Sequence, residues 1–311
     1  MAENYKIVKI EEADFFKLIP LMQDAFGLNV NIEYFKWKFL ENPAGSFVGY
    51  VAEDITTNEI AAYYGVIPEK YSLNKKDILF YQSCDTMTHS KHRRKGLFKK
   101  LALKCYEDLT NENKLNIYGF GGATSTPGFL KMGWKIHSAF LTISIPSFLC
   151  NYRSNKKNVI ISEKLNDQLI TFIHAQSDKI NTFHKLLDKD YLNWKFNNPL
   201  FTYFFIYLKN KDSIEALLIY KIEKNKLIII DIFGEKNIPP LIQFVKNKVI
   251  ELKLKGILFY IDKKYRYKLL KFGFIFNPLP IGPLSDKIPL ITLTDKKINN
   301  WVPTMIEHDA I

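Results

Sequence analysis

The sequence predicts an α/β fold, an α+β mixed sheet made of two tandem copies of one unit, the second copy degenerate. Three observations predict it. In the first half, apolar segments with the two-residue period of strands alternate with segments of helical period. The stretch Asp85 to Phe98 reads as a strand that runs through a basic, glycine-containing turn into an amphipathic helix. Two short motifs of the first half recur, in the same order, in the second.

Taken in order, Asp14 to Phe26 carries Phe15, Leu18, Leu21, Met22 and Ala25 at helical spacing. Phe47 to Ala52 and Ile60 to Val66 read as strands, with the turn supplied by Asp54 to Asn58. Ile78 to Thr88 is a long strand entering the basic turn. The helix from Leu97 to about Leu109 puts Phe98, Leu101, Ala102, Cys105 and Leu109 on one face and most of its charges on the other. Leu115 to Phe120 is a buried-looking strand that Gly121 and Gly122 break. A short helix follows from Pro127, since proline suits a first helical turn. Gly133 stops it, and Trp134 to Ile145 is a further strand.

The repeated motifs are Tyr34-Phe35-Lys36-Trp37-Lys38-Phe39, echoed by Tyr191-Leu192-Asn193-Trp194-Lys195-Phe196, and Leu130-Lys131-Met132-Gly133-Trp134, echoed by Leu270-Lys271-Phe272-Gly273-Phe274. Between them the second half again predicts strands at Tyr203 to Lys209, Ile214 to Tyr220 and Lys226 to Phe233. A helix at Pro240 to Leu252, a strand at Gly256 to Ile261 and a short helix at Lys263 to Lys271 complete the copy. The basic turn is missing from it. Phe233 to Pro240 has no Arg-x-x-Gly, adds the carboxylate of Glu235, and places two prolines, which lack N–H donors, at the helix start. The polar stretch from Cys150 to Asn158 predicts a division into residues 1–150, which bind the ligand, and 151–311, which wall a substrate cleft.

The length suits two domains of about 150 residues. The net charge of +12 is unevenly placed. Residues 1–150 hold 18 Lys+Arg against 16 Asp+Glu, and residues 151–311 hold 26 against 16. The excess is scattered lysine without a run of five like charges, so a nucleic-acid partner is not expected. Three cysteines, Cys84, Cys105 and Cys150, are too few and too odd in number for a disulfide framework. No Cys-x-x-Cys pair occurs, and the His-x-x-His spacing of His89 and His92 falls in the basic turn, so no metal is expected. The start has no apolar signal core, and no segment approaches the roughly 18 apolar residues of a membrane span. A cytoplasmic protein is the expectation, of oligomeric state the sequence does not indicate.

The basic turn carries the chemistry. A helix start leaves backbone N–H groups unpaired and bears partial positive charge, so it can hold a phosphate. Gly96 allows close backbone approach. Only four arginines occur in the chain, and Arg93 and Arg94 stand side by side here, where bidentate phosphate recognition favours arginine.

With these residues the chain resembles the tandem GNAT acetyltransferases, the GCN5-related N-acetyltransferase superfamily. Arg93 and Gly96 fill the first and fourth places of the family's Arg/Gln-x-x-Gly-x-Gly/Ala signature, and Phe98 departs from its sixth. Leu130-Lys131-Met132-Gly133-Trp134 resembles the family's Lys-x-Gly-aromatic ending. The resemblance implies acetyl-CoA as co-substrate, lying between the strand that ends at Thr88 and the strand Leu115 to Phe120. It implies that Met87 and Thr88 pair with the pantetheine arm. Amides of Arg94, Lys95, Gly96, Leu97 and Phe98 would hold the pyrophosphate beside Arg93, with Gly122 and Ser125 near the cofactor. Asp85 and His89 are the candidate general bases. Phe129 stands where many members have a tyrosine that protonates the departing thiolate, and a usual asparagine is absent. Thr124, Ser125, Thr126 or water would then supply the proton.

The implied activity is N-acylation of a small amine, an amino sugar or nucleotide-linked amino sugar, in the manner of bacterial small-molecule or polysaccharide-associated members. The alternatives are an aminoacyl-tRNA-dependent transferase of the peptidoglycan type and a non-catalytic CoA-binding module. Cys84, Trp37 and Trp194 read as packing residues. Tyr50, Tyr63 and Tyr64 are expected to line one sheet face. The tail from Asn300 to Ile311 gathers Glu307, His308 and Asp309, and either returns to the site or frays.

Overall fold

The computed structural model describes residues 4–154, 158–234, 237–262, 266–276, 287–298, 300–301 and 303–308. Glu235, Lys236, Lys263 and Asp309, which enter the sequence reading, lie outside the described residues.

The first half opens with strand β1 (Tyr5–Lys9), helix α1 (Phe15–Phe26) and helix α2 (Ile32–Phe35), which continues as a π-helical turn over Lys36–Leu40. Strands β2 (Val48–Asp54), β3 (Ile60–Leu73) and β4 (Lys76–Thr88) form an antiparallel meander. Helix α3 (Leu97–Asn111) crosses to β5 (Ile117–Phe120), which pairs in parallel with β4. The short α4 (Thr126–Lys131) and the long β6 (Lys135–Pro146) follow.

The second half begins with β7 (Ile160–Ser162), α5 (Asp167–Ser177), β8 (His184–Lys185) and α6 (Lys189–Phe196). It then repeats the meander as β9 (Tyr203–Asn210), β10 (Ser213–Glu223) and β11 (Lys226–Phe233). Helix α7 (Ile238–Glu251), β12 (Gly256–Asp262), α8 (Arg266–Leu270), β13 (Ile275–Phe276) and β14 (Lys287–Leu293) complete it.

Fourteen strands among the described residues join one sheet, ordered β1-β2-β3-β4-β5-β14-β6-β12-β11-β10-β9-β7, with β13 on β6 and β8 on β3. The order crosses the chain's midpoint. β14, from the second half, inserts between β5 and β6 of the first, and β6 pairs with β12 of the second. β14 has no counterpart among the strands the sequence predicted, and its neighbour in the chain, 277–286, is outside the described residues.

The duplication is visible in backbone conformation. Gly133 and Gly273, at the ends of the two short helices, share a φ of +89°. Gly96 and Asn237, which precede α3 and α7, are both left-handed, at φ 76° and 64°. The repeated tryptophans face each other. Their rings stack 5.0 Å apart at 14°, and each indole N–H donates 2.7 Å to the other residue's carbonyl. They are packing residues at the junction of the copies.

One core layer, holding Leu101, Cys105, Leu109, Tyr64 and Tyr50, lies between α3 and the sheet. A second, with Leu241, Val245 and Ile229, lies under α7. A shared layer on the opposite face joins α1, α2, α5 and α6 through Phe15, Trp37, Ile173 and Trp194. Tyr63 and Cys84 belong to this shared layer, whereas Tyr50 and Tyr64 belong to the α3 side. The three tyrosines therefore do not line one sheet face, because successive strand residues point to opposite faces.

Truncating Trp194 to alanine removes a buried ring and its indole N–H, which leaves the Trp37 main-chain carbonyl without that donor. Urea unfolding should show a loss of about 3–5 kcal/mol for Trp194→Ala, with Trp194→Phe losing clearly less.

Candidate functional site

The site forms where β4 and β5 part. Their ladder runs through Tyr81↔Ile117, Gln82↔Tyr118 and Ser83↔Gly119, and β4 then continues to Thr88. Phe120 pairs instead with Leu290 of β14. A bulge in β4 at Asp85, whose φ is +47°, lies just past the last paired residue and increases the local twist. The edge of β4 from Asp85 to Thr88 consequently faces β5 without a ladder, and Met87 and Thr88 lie along it.

The basic turn follows directly. Gly96 ends it in a left-handed conformation that glycine adopts without strain, and a Cβ there would meet no atom within 4 Å. Among the described residues, no protein acceptor takes the amides from Arg94 to Phe98. These donors stand at the positive end of a 15-residue helix. The Arg93 Nε–H reaches back 3.4 Å to the Thr88 carbonyl. Lys95 donates 2.7 Å to the Tyr5 hydroxyl, which also meets His92 Nδ1 at 2.8 Å. Burial, followed by the Lys95 charge, holds the His92 imidazole below its ordinary value.

Phe98 does not fill the space before the turn. Its ring packs edge-on to Phe129 at 4.9 Å and against Tyr64, and a Cβ on Gly128 would come within 2.7 Å of it. The missing side chain at Gly128 thus makes room for the large one at 98. Phe129 is itself buried against Trp134 and offers no hydroxyl. The loop after β5 is closed by hydroxyls instead. Ser125 Oγ accepts from the Gly122 amide at 3.1 Å, and Thr126 Oγ1 donates to the Gly122 carbonyl at 2.8 Å.

On the shared face, Asp85 meets a lysine that the sequence reading placed only in a packing motif. Lys38 Nζ, on a side chain 1% exposed, lies 2.7 Å from Asp85 Oδ2, and the Tyr34 hydroxyl touches both groups. The π-helical turn brings Lys38 to this point; such turns are frequent at functional sites. The available signal was the spacing of Tyr34 and Lys38, which puts both on one helical face. His89 lies beyond Thr88 and is occupied with anchoring the turn. Its Nδ1 accepts from the Lys91 amide, its Nε2 lies 3.7 Å from Asp24, and Asp24 also holds the Ser90 amide and hydroxyl.

The C-terminal segment returns to the site. Residues Thr304 to His308 run between the copies as a strap. Tyr71 donates 2.6 Å to Glu307 Oε2, Gln82 to the Glu307 carbonyl, Tyr191 to the Ile306 carbonyl and Lys195 to the His308 carbonyl. The His308 ring stacks on Phe120, at the end of β5, 4.6 Å away. Burial raises Glu307 to about 6 and Asp231 to about 7, against the hydrogen bonds that oppose each shift. Lys185, ion-paired with Glu69, is pushed well below its ordinary value by burial.

Residues 6–137 match the model of an acetyltransferase (GNAT) domain. Over these residues the chain is similar to the GNAT acetyltransferase domain. The match covers β1 through the start of β6 and so includes the parted strands and the basic turn. The whole chain has the fold of a tandem GNAT. It superposes with a TM-score of 0.66 and 8% identity on a tandem GNAT protein from the clavulanic acid biosynthesis pathway, covering 93% of this chain and 98% of that one. A probable N-acyltransferase from Enterococcus faecalis V583 gives a TM-score of 0.66 at 10% identity, covering 93% and 72%. A GCN5-related N-acetyltransferase from Anabaena variabilis gives 0.65 at 13%, covering 93% and 72%. No curated protein sequence matches the chain. GNAT enzymes take an acyl-CoA and an acceptor, and the free amides, the open space beside Gly96 and the unladdered edge of β4 fit the diphosphate and arm of such a donor. Among the described residues, no helix is long and apolar enough to cross a membrane.

Asp231 has a raised folded value, so the folded state binds its proton more tightly than the unfolded state does. Its contribution is fully present below about pH 4 and is lost as pH rises through about 7. Asp231→Asn should therefore be more stable than wild type at pH 8, by at most about 4 kcal/mol, and the gap should close near pH 4 in urea titrations.

Proposed function

We propose that the protein is an acetyl-CoA-dependent N-acyltransferase acting on a small amine. The observation that carries this reading is the unladdered edge of β4 running straight into a helix start whose amides have no protein acceptor. Met87 and Thr88 bind the pantetheine arm as an added strand would bind. The amides of Arg94, Lys95, Gly96, Leu97 and Phe98, with the Arg93 and Arg94 guanidiniums, bind the diphosphate. The loop of Gly122 and Ser125 closes the other wall.

The thioester supplies an activated acyl carbon at the parting of the strands. Asp85 is the base. Its carboxylate takes the acceptor's proton, directly or through one water, so that the nitrogen attacks as a neutral amine. Lys38 and Tyr34 are positioning residues: the ammonium holds the carboxylate charged and the hydroxyl fixes its plane. His89 anchors the turn to α1 rather than serving as the base. Phe129 offers no proton to the thiolate, and Ser125 or water delivers it.

Thermal unfolding with acetyl-CoA tests the donor site. At 100 times the dissociation constant a single ligand adds about 2.7 kcal/mol, so wild type should show a clear upward shift. Gly96→Glu, which sets a carboxylate against the phosphates at a left-handed position, should show almost none. An equal shift in both proteins would remove the site from this turn.

Thiol release over an amine panel tests the chemistry. Asp85→Asn should lower kcat by about 10²–10⁴ while leaving the acetyl-CoA shift intact. Donor binding without turnover of any amine would establish a CoA-binding module in place of an enzyme.

A further inference from the structure

A cavity of about 270 Å³ lies on the second copy's side of the strap. Its wall is a patch of three neighbouring strands. Lys221 and Glu223 of β10 stand opposite Ile228 and Lys226 of β11, and Ile228 stands beside Leu258 of β12. All of these line the cavity, with Tyr260 further along β12. Its other side is the strap, through Met305 and His308. Because the His308 ring also stacks on Phe120, the cavity adjoins the end of β5, where the acyl carbon is placed.

The charge on this wall is unbalanced. Lys221 is 2% exposed, lies 2.8 Å from Glu223, and sits over the Phe201 ring. Lys224 also reaches Glu223, at 3.7 Å. Lys226 has no carboxylate within ion-pair distance among the described residues. Three ammonium groups thus face one carboxylate, above a floor of Ile228 and Leu258. Burial lowers the Lys221 ammonium, and Glu223 opposes that shift. A buried ammonium sharing one carboxylate with a second lysine, beside a third without any, favours an incoming anion.

We propose that this cavity is the acceptor subsite and that the acceptor is a small amine bearing its own anionic group, a carboxylate or phosphate, seated at Lys226 and Lys221. The inference rests on the acyltransferase reading and narrows its substrate. The volume falls below the roughly 300–1,000 Å³ of pockets that hold drug-sized ligands. It suits a metabolite of amino-acid size rather than a nucleotide-linked sugar.

Ligand-observed NMR on the full chain saturated with CoA tests it. The probes are β-alanine against propylamine and O-phosphoethanolamine against ethylamine. At least one acid-bearing amine should bind and its counterpart without the acid group should not, and the stronger arm identifies carboxylate or phosphate. Lys226→Glu should weaken that binding at least about tenfold, Lys226→Arg should retain it, and neither should alter the acetyl-CoA thermal shift. Amines without the acid group binding as well as those with it, no binding by either acid-bearing probe, or indifference to Lys226→Glu would each overturn the proposal. Loss of the acetyl-CoA shift in wild type would instead sink the acyltransferase reading beneath it.

Discussion

The sheet depends on one strand that serves both copies. Along one edge β6 pairs with β14 over Lys135 to Leu141, and along the other with β12 over Phe140 to Pro146. Without that double pairing each copy would end in an open edge with unsatisfied main-chain groups. With it, β5 is held by β14 on its far side, and its near side is free to diverge from β4. The parting of β4 and β5 is therefore not a weakness in the sheet. It is what remains when β5 is secured from the other direction and the bulge at Asp85 twists β4 away.

The same constraint decides where charge can be buried. The shared face is closed by helices from both copies, so polar groups trapped there must satisfy one another. They do so in two related arrangements built on the repeated motif. In the first copy, Lys38 and Tyr34 converge on the Asp85 carboxylate. In the second, Lys195 and Tyr191 converge on main-chain carbonyls of the strap. One motif thus fixes a carboxylate at the parted strands, and its copy fixes the chain end beside them. Replacing one partner of such a buried pair leaves an uncompensated charge, which costs more than the pair itself contributes.

Much of this was legible in the sequence, because the strongest signals were local. The strand, basic turn and helix around Arg93 to Phe98, the meanders, and the echo of Tyr34–Phe39 in Tyr191–Phe196 all appear in the structure, although β3 runs to Leu73, seven residues past its expected end at Val66. Helices α5 and α6 were missed although Asn166 and Asp188 cap them with side-chain hydrogen bonds to Leu169 and Tyr191. Their apolar stripes are short, and a cap is a weak signal without a long stripe behind it. The strand exchange was illegible for a different reason. Periodicity reports which face a strand buries, and carries nothing about which of two distant strands pairs with it. The Lys38–Asp85 contact, 47 residues apart in the chain, is non-local in the same way.

Duplication also explains how the copies come to differ. Asn237, just before α7, keeps the left-handed conformation that Gly96 has before α3. The next residues then remove its chemistry, since Pro239 and Pro240 contribute no N–H where α3 offers a full set of free amides. On the proposed reading, the second copy holds no diphosphate and does not need its sheet face clear for a donor. That face instead carries lysines on β10 and β11, and the strap lies across it. A donor site requires main-chain donors at a helix start, which a pair of prolines abolishes. An acceptor site requires side chains on a rigid wall, which an antiparallel pair supplies at every second residue. The second copy lost the first feature and possesses the second, and this is the physical basis for placing the two substrates on opposite sides of the strap.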